Sequence, residues 1–131
     1  FALSDVDLRG TILGCGDGPA SFNAEMTALG HNVVSVDPIY AFSGTEIRRR
    51  VQETYHPILS QAEGNAERYV WDHFSDVEAL GRARLRAMEA FLDDFGAGLA
   101  EGRYVPGALP SLGFADGQFS LALCSHLLFL Y

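Results

Sequence analysis

The chain has 131 residues, 48% of them hydrophobic and 20% charged, so it can bury a core and form about one domain. Its net charge of -8 disfavours a nucleic-acid substrate, because attraction to phosphates normally supplies most of the affinity for nucleic acids. The sequence has no run of about 18 apolar residues and charges interrupt its first segment, so we expect no membrane span and a soluble, cytoplasmic protein.

The first elements predicted are a strand, a glycine turn and a helix. The short apolar run 10–13 passes into the glycine cluster 14–18, a pattern typical of a buried strand that ends in a tight turn. Pro19 suits the first position of a helix, and residues 22–29 then carry apolar side chains at helical spacing.

A second strand completes a βαβ unit. Residues 31–37 are rich in β-branched side chains and end at Asp37, and Pro38 favours an extended backbone in the residue before it and stops the strand. A right-handed crossover makes the two strands parallel, and ligands of such sheets bind beyond the carboxyl ends of the strands.

The long segment 44–102 is helical in pattern. Apolar residues recur at helical spacing over 47–62, but Pro57 is expected to divide this stretch into two shorter helices. A capping-box spacing at 75–78, from Ser to Glu, begins another helix with an apolar stripe. Connections within βαβ units are usually short, so we interpret 44–102 as a helical insertion.

The last elements predicted are two more strands. Residues 103–105 form a short strand, 106–107 a turn and 119–125 a buried strand. The fold class expected is therefore α/β, a Rossmann-like parallel sheet with flanking helices on both faces and a helical insertion between the second and third strands.

The glycine turn distinguishes two classes of cofactor. A dinucleotide-binding turn reads G-x-G-x-x-G, and counting from Gly14 its third glycine would fall on Pro19. The chain instead reads G-x-G-x-G. Asp37 follows the turn by about 20 residues, at the end of the next strand, where a carboxylate can accept hydrogen bonds from ribose hydroxyls.

With these two features and the run 112–126, Leu-Gly-Phe-Ala-Asp-Gly-Gln-Phe-Ser-Leu-Ala-Leu-Cys-Ser-His, the chain resembles the class I S-adenosylmethionine-dependent methyltransferases. The resemblance implies S-adenosylmethionine as cofactor and methyl transfer to a small-molecule acceptor. It implies one domain over 1–131, incomplete because it holds about four of the family's seven strands. The implied cofactor-binding residues are Gly14, Cys15, Gly16, Asp17, Gly18, Asp37, Pro38, Ala108, Leu109 and Ser125.

The chain departs from the family pattern at three positions. Ile12 stands where the family usually has an acid near the methionine end of the cofactor, and Ala108 where an acid lies near the adenine amino group. Ser120 replaces the usual Asp beside Phe119. These departures leave open a non-catalytic methyltransferase-like binding or assembly module, and another Rossmann-type nucleotide enzyme, such as a nicotinamide oxidoreductase, is the second alternative.

The acceptor side is less defined. Ser125 and His126, at the carboxyl end of the fourth strand, are candidate catalytic residues, with His126 able to take a proton near neutral pH. A structural histidine is the alternative. The strand end lacks an N-P-P-Y signature, which argues against methylation of adenine N6 or glutamine.

Other clusters carry weaker signals. Aromatic residues of the insertion form either a lid over the acceptor pocket or the insertion's own core; they are Tyr55, Tyr69, Trp71 and Phe74. Residues 48–50, three arginines, are interpreted as a solvated helix face. We expect no metal site, and we expect Cys15 and Cys124 to be reduced thiols. The sequence does not indicate an oligomeric state.

Overall fold

The computed structural model describes residues 2–124 and has an α/β fold. The strands are Thr11–Cys15 (β1), Asn32–Val36 (β2), Tyr104–Val105 (β3) and Leu121–Cys124 (β4). The α-helices are Phe22–Ala28 (α1), Gly44–Glu63 (α2) and Val77–Ala100 (α3). Short 3-10 helices lie at Asp7–Arg9, Pro38–Ala41 and Ala66–Arg68.

The four strands form one parallel sheet in the order β3-β2-β1-β4. Cys15, the last residue of β1, lies beside Val36 of β2 and Cys124 of β4, so these strands end at the same edge of the sheet. Two helices, α2 and α3, lie between β2 and β3. The Rossmann-like parallel architecture predicted from the sequence is therefore confirmed, including its helical segment between the second and third strands.

Each face of the sheet carries buried clusters, and different structures cover the two faces. On one face Ile12 and Val33 pack against Phe22 and Met26 of α1. Helix α3 packs against α1 and β3 on this same face, where Phe91 and Phe95 join Tyr104 in a second cluster. These contacts place the helices that reach the described part of the sheet on one face.

A loop covers the opposite face. Leu13, Cys15 and Val36 form its buried cluster, and aromatic and aliphatic side chains from the segment 112–119 pack on it. The expectation of helices on both faces is therefore wrong for residues 2–124. The loop can replace a helix because Phe114 and Phe119 form an edge-to-face pair that shields the strands from water.

Helix α1 begins later than predicted. Its capping residue is Ser21 and its first residue is Phe22, so Pro19 lies in the preceding turn and not at the first helical position. The glycine turn extends through Gly18, whose φ angle of +57° lies outside the right-handed helical range, and the helix begins only after this turn.

Helix α2 is continuous through Pro57, against the prediction of two shorter helices. Proline removes one backbone donor and crowds the preceding turn. Packing compensates, because Ile47 and Val51 are buried in the cluster with α3 on one side of the proline and Ala62 is buried on the other.

Helix α3 begins at Val77, with Asp76 as its cap and not the Ser75 of the predicted capping box. The Asp76 carboxylate accepts a hydrogen bond of 2.7 Å from the Ala79 amide, while the Ser75 hydroxyl donates to that same carboxylate. The predicted cap is wrong by one residue, because Asp and Ser are about equally good capping residues and the spacing alone does not distinguish Ser75 from Asp76.

The fourth strand is shorter than the predicted 119–125, since β4 covers Leu121–Cys124. Ser125 and His126, the candidate catalytic residues, lie outside the described residues. Among residues 2–124, no helix combines the length and the apolar character needed to cross a bilayer.

Candidate functional site

The candidate site is built on the turn that follows β1. Gly16 and Gly18 have φ angles of +69° and +57°, which L side chains adopt only with strain. The Gly16 amide donates to the Val36 carbonyl at 2.8 Å, so the turn continues the pairing of β1 with β2. Glycine is therefore required at these two positions by backbone conformation.

Gly14 is required for a different reason. A Cβ atom on Gly14 would lie 1.9 Å from Oδ2 of Asp17. The Asp17 carboxylate folds back beneath β1 and occupies the space that a side chain at Gly14 would need. The family resemblance implied that Gly14 binds the cofactor, whereas in the structure the Asp17 side chain takes up the room beside it.

Asp37 connects the two strand ends. Its Oδ2 atom accepts a hydrogen bond of 2.9 Å from the Gly18 amide, and its Oδ1 atom accepts one of 2.9 Å from the Ile39 amide. Asp37 thus caps the 3-10 helix after β2 and holds the glycine turn of β1. Each carboxylate oxygen keeps acceptor capacity for a ligand, because an ionised carboxylate offers about four lone-pair sites.

A cavity of about 510 Å³ opens beside this pair of strand ends. Cavities that bind small molecules and cofactors have volumes of about 300–1,000 Å³ and mostly apolar walls. The walls are formed by the ends of β1 and β2 and by the loop after β3, namely Cys15, Gly16, Val36, Asp37, Pro38, Gly107, Ala108, Leu109, Pro110 and Leu112. Within the described part of the chain, Asp37 is the one acidic residue of this lining, and no Lys, Arg or His joins it there.

The predicted cofactor-binding residues divide into two groups. Six line the cavity, and these are Cys15, Gly16, Asp37, Pro38, Ala108 and Leu109. Gly14, Asp17 and Gly18 do not line it; Gly18 instead binds the Asp37 carboxylate, and Asp17 faces β2. Ser125 cannot be placed, because it lies outside the described residues.

Sequence reasoning missed several residues that support this site. The loop residues Gly107, Pro110 and Leu112 complete the cavity wall. Ser35 and Asn23, both 1% exposed, form buried hydrogen bonds behind the turn. A signal for Ser35 was available, since it is the one hydroxyl in a run of β-branched residues, whereas nothing local distinguishes Asn23 from a surface residue of α1.

Tyr40 supports the turn from the side of the helices. Its hydroxyl donates to the Gly18 carbonyl at 2.8 Å, and its ring packs against Phe91, Phe95 and Tyr104. Burial raises the pKa of Tyr40 well above its ordinary value, and the nearby Asp17 and Asp37 charges add to the rise. Tyr40 is therefore a neutral donor at any physiological pH.

Cys15 lines the cavity as a thiol. Burial raises its pKa to about 11, and the neighbouring Cys124 contributes to the rise. A thiol with this pKa has almost no thiolate at neutral pH, so Cys15 lacks the activation that a cysteine nucleophile needs.

The aromatic side chains of the insertion lie elsewhere. Tyr69, Trp71 and Phe74 line a second cavity of about 480 Å³ between the end of α2 and the start of α3, and none of them lines the first cavity. Phe91 of α3 contacts Tyr40 just after β2, and α3 extends from there back to Val77, about 21 Å at roughly 1.5 Å per residue. These three side chains therefore do not cover the site in this structure.

Comparison of the chain with protein-family models, with curated proteins and with solved structures finds no match.

Proposed function

We propose that this chain binds S-adenosylmethionine in the cavity beside β1 and β2 and belongs to an enzyme that transfers the methyl group to a small-molecule acceptor. One observation carries the proposal: the glycine turn and Asp37, about 20 residues apart in sequence, meet at the wall of a cavity of cofactor size. The family resemblance assigns the ribose hydroxyls to that carboxylate.

The charge of the lining supports a cationic ligand. Among residues 2–124, Asp37 is the only charged side chain that lines the cavity, so this part of the wall attracts a positively charged group. The sulfonium of S-adenosylmethionine is such a group. NAD instead brings a pyrophosphate, which Rossmann enzymes bind at the amino end of the first helix. Ser21 and Phe22, where α1 begins, do not line the cavity, which speaks against the dinucleotide alternative.

The residues present fit the parts of the cofactor. The Asp37 carboxylate would accept hydrogen bonds from the ribose hydroxyls, the backbone at Cys15 and Gly16 would lie along the methionine portion, and the loop at Ala108 and Leu109 would contact the adenine. When bound, the cofactor supplies a methyl group already activated by its sulfonium. The protein's part is then to align the acceptor and to exclude water, which apolar walls favour.

The non-catalytic module is the alternative that Ile12 and Ala108 favour, because neither can supply the usual carboxylate. Ile12 is fully buried against α1, so it faces away from the cavity. Of these two positions, Ala108 alone lies at the cavity, and the backbone groups of its loop would have to replace the missing carboxylate.

Calorimetry tests the proposal with S-adenosylmethionine, S-adenosylhomocysteine and NAD as ligands. We expect the first two to bind and NAD not to bind. Asp37→Asn should weaken the binding of S-adenosylmethionine and of S-adenosylhomocysteine by about tenfold each, since it removes one charge-assisted acceptor for a ribose hydroxyl. The matched control is Asp93→Asn, which changes the net charge equally at an exposed position of α3.

Each outcome has a distinct meaning. Binding of NAD alone would replace the proposal by the oxidoreductase, and binding of no ligand would leave the module. Binding without methyl release, measured with labelled cofactor and a panel of small-molecule acceptors, would support a non-catalytic methyltransferase-like protein.

A further inference from the structure

A chain of three hydrogen bonds, one buried and two partly buried, ends at Asp17 behind the candidate site. Arg103 Nη1 donates to Asn23 Oδ1 at 2.8 Å, Asn23 Nδ2 donates to Ser35 Oγ at 3.1 Å, and Ser35 Oγ donates to Asp17 Oδ2 at 2.6 Å. Every bond donates in the same direction, from the guanidinium toward the carboxylate. Hydrogen bonds aligned in this way polarise one another and strengthen the last acceptor contact.

The guanidinium end of the chain is firmly held. Arg103 forms two parallel hydrogen bonds of 2.7 and 2.8 Å with the Asp94 carboxylate, and Tyr104 donates to that carboxylate at 2.8 Å. Bidentate pairs of this kind fix orientation as well as charge. The Asp94 pair largely satisfies Arg103, so the positive charge does not lie against Asp17.

The Asp17 carboxylate lies behind the turn that forms part of the cavity wall. It lies under Gly14, and the next two residues of the chain, Cys15 and Gly16, line the cavity. The ionisable groups that face Asp17 are Asp37, the neutral Tyr40 and the neutral Cys15. No Lys, Arg or His among residues 2–124 forms an ion pair with it.

We propose that Asp17 is a specificity-determining residue of the site: its half-buried carboxylate, held behind the turn by Ser35, favours a cationic sulfonium ligand over the neutral thioether that remains after methyl transfer. This inference rests on the proposed function. S-adenosylmethionine and S-adenosylhomocysteine differ by one methyl group and one positive charge, so the charge of Asp17 acts on the difference between their affinities. Contacts to the shared ribose, adenine and amino-acid portions cancel in that ratio.

Ionisation of Asp17 makes the effect sensitive to pH. Burial raises the pKa of Asp17, the hydrogen bond from Ser35 opposes the rise, and the Asp37 charge adds to it. Acidification through this raised pKa neutralises the carboxylate and should reduce the preference for the sulfonium ligand. Ser35→Ala removes the opposing hydrogen bond, so the loss of preference should begin at a higher pH.

The test measures dissociation constants of the two ligands by calorimetry from about pH 4, near the ordinary value of an aspartate, to about pH 8. Asp17→Asn should lower the preference for S-adenosylmethionine by about tenfold, as expected for one charge acting through an effective dielectric constant of about 20. Asp93→Asn should leave it unchanged. Ser35→Thr, which keeps the hydroxyl, should restore the wild-type pH profile that Ser35→Ala alters.

An unchanged ratio of the two dissociation constants in Asp17→Asn would overturn the inference, whether both ligands bind equally more weakly or neither is affected. Asp17 would then be a purely structural residue. If Asp17→Asn fails to fold, the pH dependence of the ratio in the wild-type protein and in Ser35→Ala decides instead, since neither measurement needs that variant. Failure of the unaltered protein to bind either ligand would refute the proposed function itself, a different result from a flat ratio.

Discussion

At the scale of single residues, the turn shows how one carboxylate restricts its neighbours. Asp17 occupies the space next to the Gly14 Cα atom. The Ser35 hydroxyl donates a hydrogen bond to the Asp17 carboxylate and so holds it against β2. Asp37 holds the other end of the turn through the Gly18 amide. The two acids therefore have different positions: Asp17 packs behind the turn, and Asp37 faces the cavity.

Gly14→Ala should destabilise the protein by about 1–3 kcal/mol, because a methyl group there overlaps the Asp17 carboxylate and forces the turn to shift. The measurement is the free energy of unfolding in urea. Adding Asp17→Ala to Gly14→Ala should recover part of that loss, since it removes the overlapping atoms. Additive losses in the double variant would contradict this explanation.

A matched control uses another glycine. A Cβ atom on Gly96, in α3, would meet nothing within 4 Å. Gly96→Ala should therefore stabilise the protein by about 0.5–1 kcal/mol, because alanine loses less backbone entropy in a helix.

At the scale of elements, helix α3 serves two purposes. Its carboxyl-terminal half completes the layer of helices on the sheet, with Phe91 and Phe95 buried beside Tyr104. Its amino-terminal half packs along α2, where Leu59 and Tyr55 approach Gly81 so closely that a Cβ atom there would lie 2.7 Å from Leu59. The two helices thus form a pair that extends beyond the sheet while remaining fixed to it.

The start of α3 gives a prediction on capping. Asp76→Ala should lower the melting temperature, because it removes the acceptor for the Ala79 amide, whereas Ser75→Ala should have a much smaller effect. The measurement is thermal unfolding at pH 7 and at pH 3. A larger effect of Ser75→Ala would mean that the predicted capping box, and not Asp76, begins the helix.

The stabilisation that the Asp76 cap provides depends on pH, because the pKa of this carboxylate is lowered in the folded protein. The hydrogen bond from the Ala79 amide and that from Ser75 lower the pKa of Asp76 below its ordinary value of 3.8. Because the pKa of Asp76 is lower in the folded state, its ionised carboxylate stabilises the protein at pH values above the unfolded-state pKa. This contribution is lost as the pH falls through the folded-state pKa. The difference between wild type and Asp76→Ala should therefore shrink at acid pH.

At the scale of the whole molecule, the described fold places helices on one face of the sheet, a loop on the other and the cavity at the carboxyl edge. This edge is where ligands bind in open parallel sheets, because strands that end together leave a crevice. Ligand contacts come from the ends of β1 and β2 and from the loop after β3, so binding would tie three separate parts of the chain together.

Binding should therefore stabilise the whole fold. S-adenosylmethionine at about 100 times its dissociation constant should add about 2.7 kcal/mol and raise the melting temperature by roughly 8–12 °C for a domain of this size. The measurement is a thermal shift titration, with NAD as the control ligand that should give no shift. Asp37→Asn should require about tenfold more ligand for the same rise. An equal shift with NAD would argue for a dinucleotide site.

The βαβ start, the parallel sheet and the proximity of the glycine turn to Asp37 could all be predicted from the order of the residues. The hydrophobic periodicity, the positions of glycine and proline, and the succession of strands and helices along the chain are local or topological signals. They can be recognised without knowing how the side chains pack. Three features could be seen only in the folded molecule: α2 continues through Pro57, a loop covers one face of the sheet, and Asp17 lies beneath Gly14. Those outcomes depend on contacts between residues distant in sequence, whose packing energies outweigh local preferences.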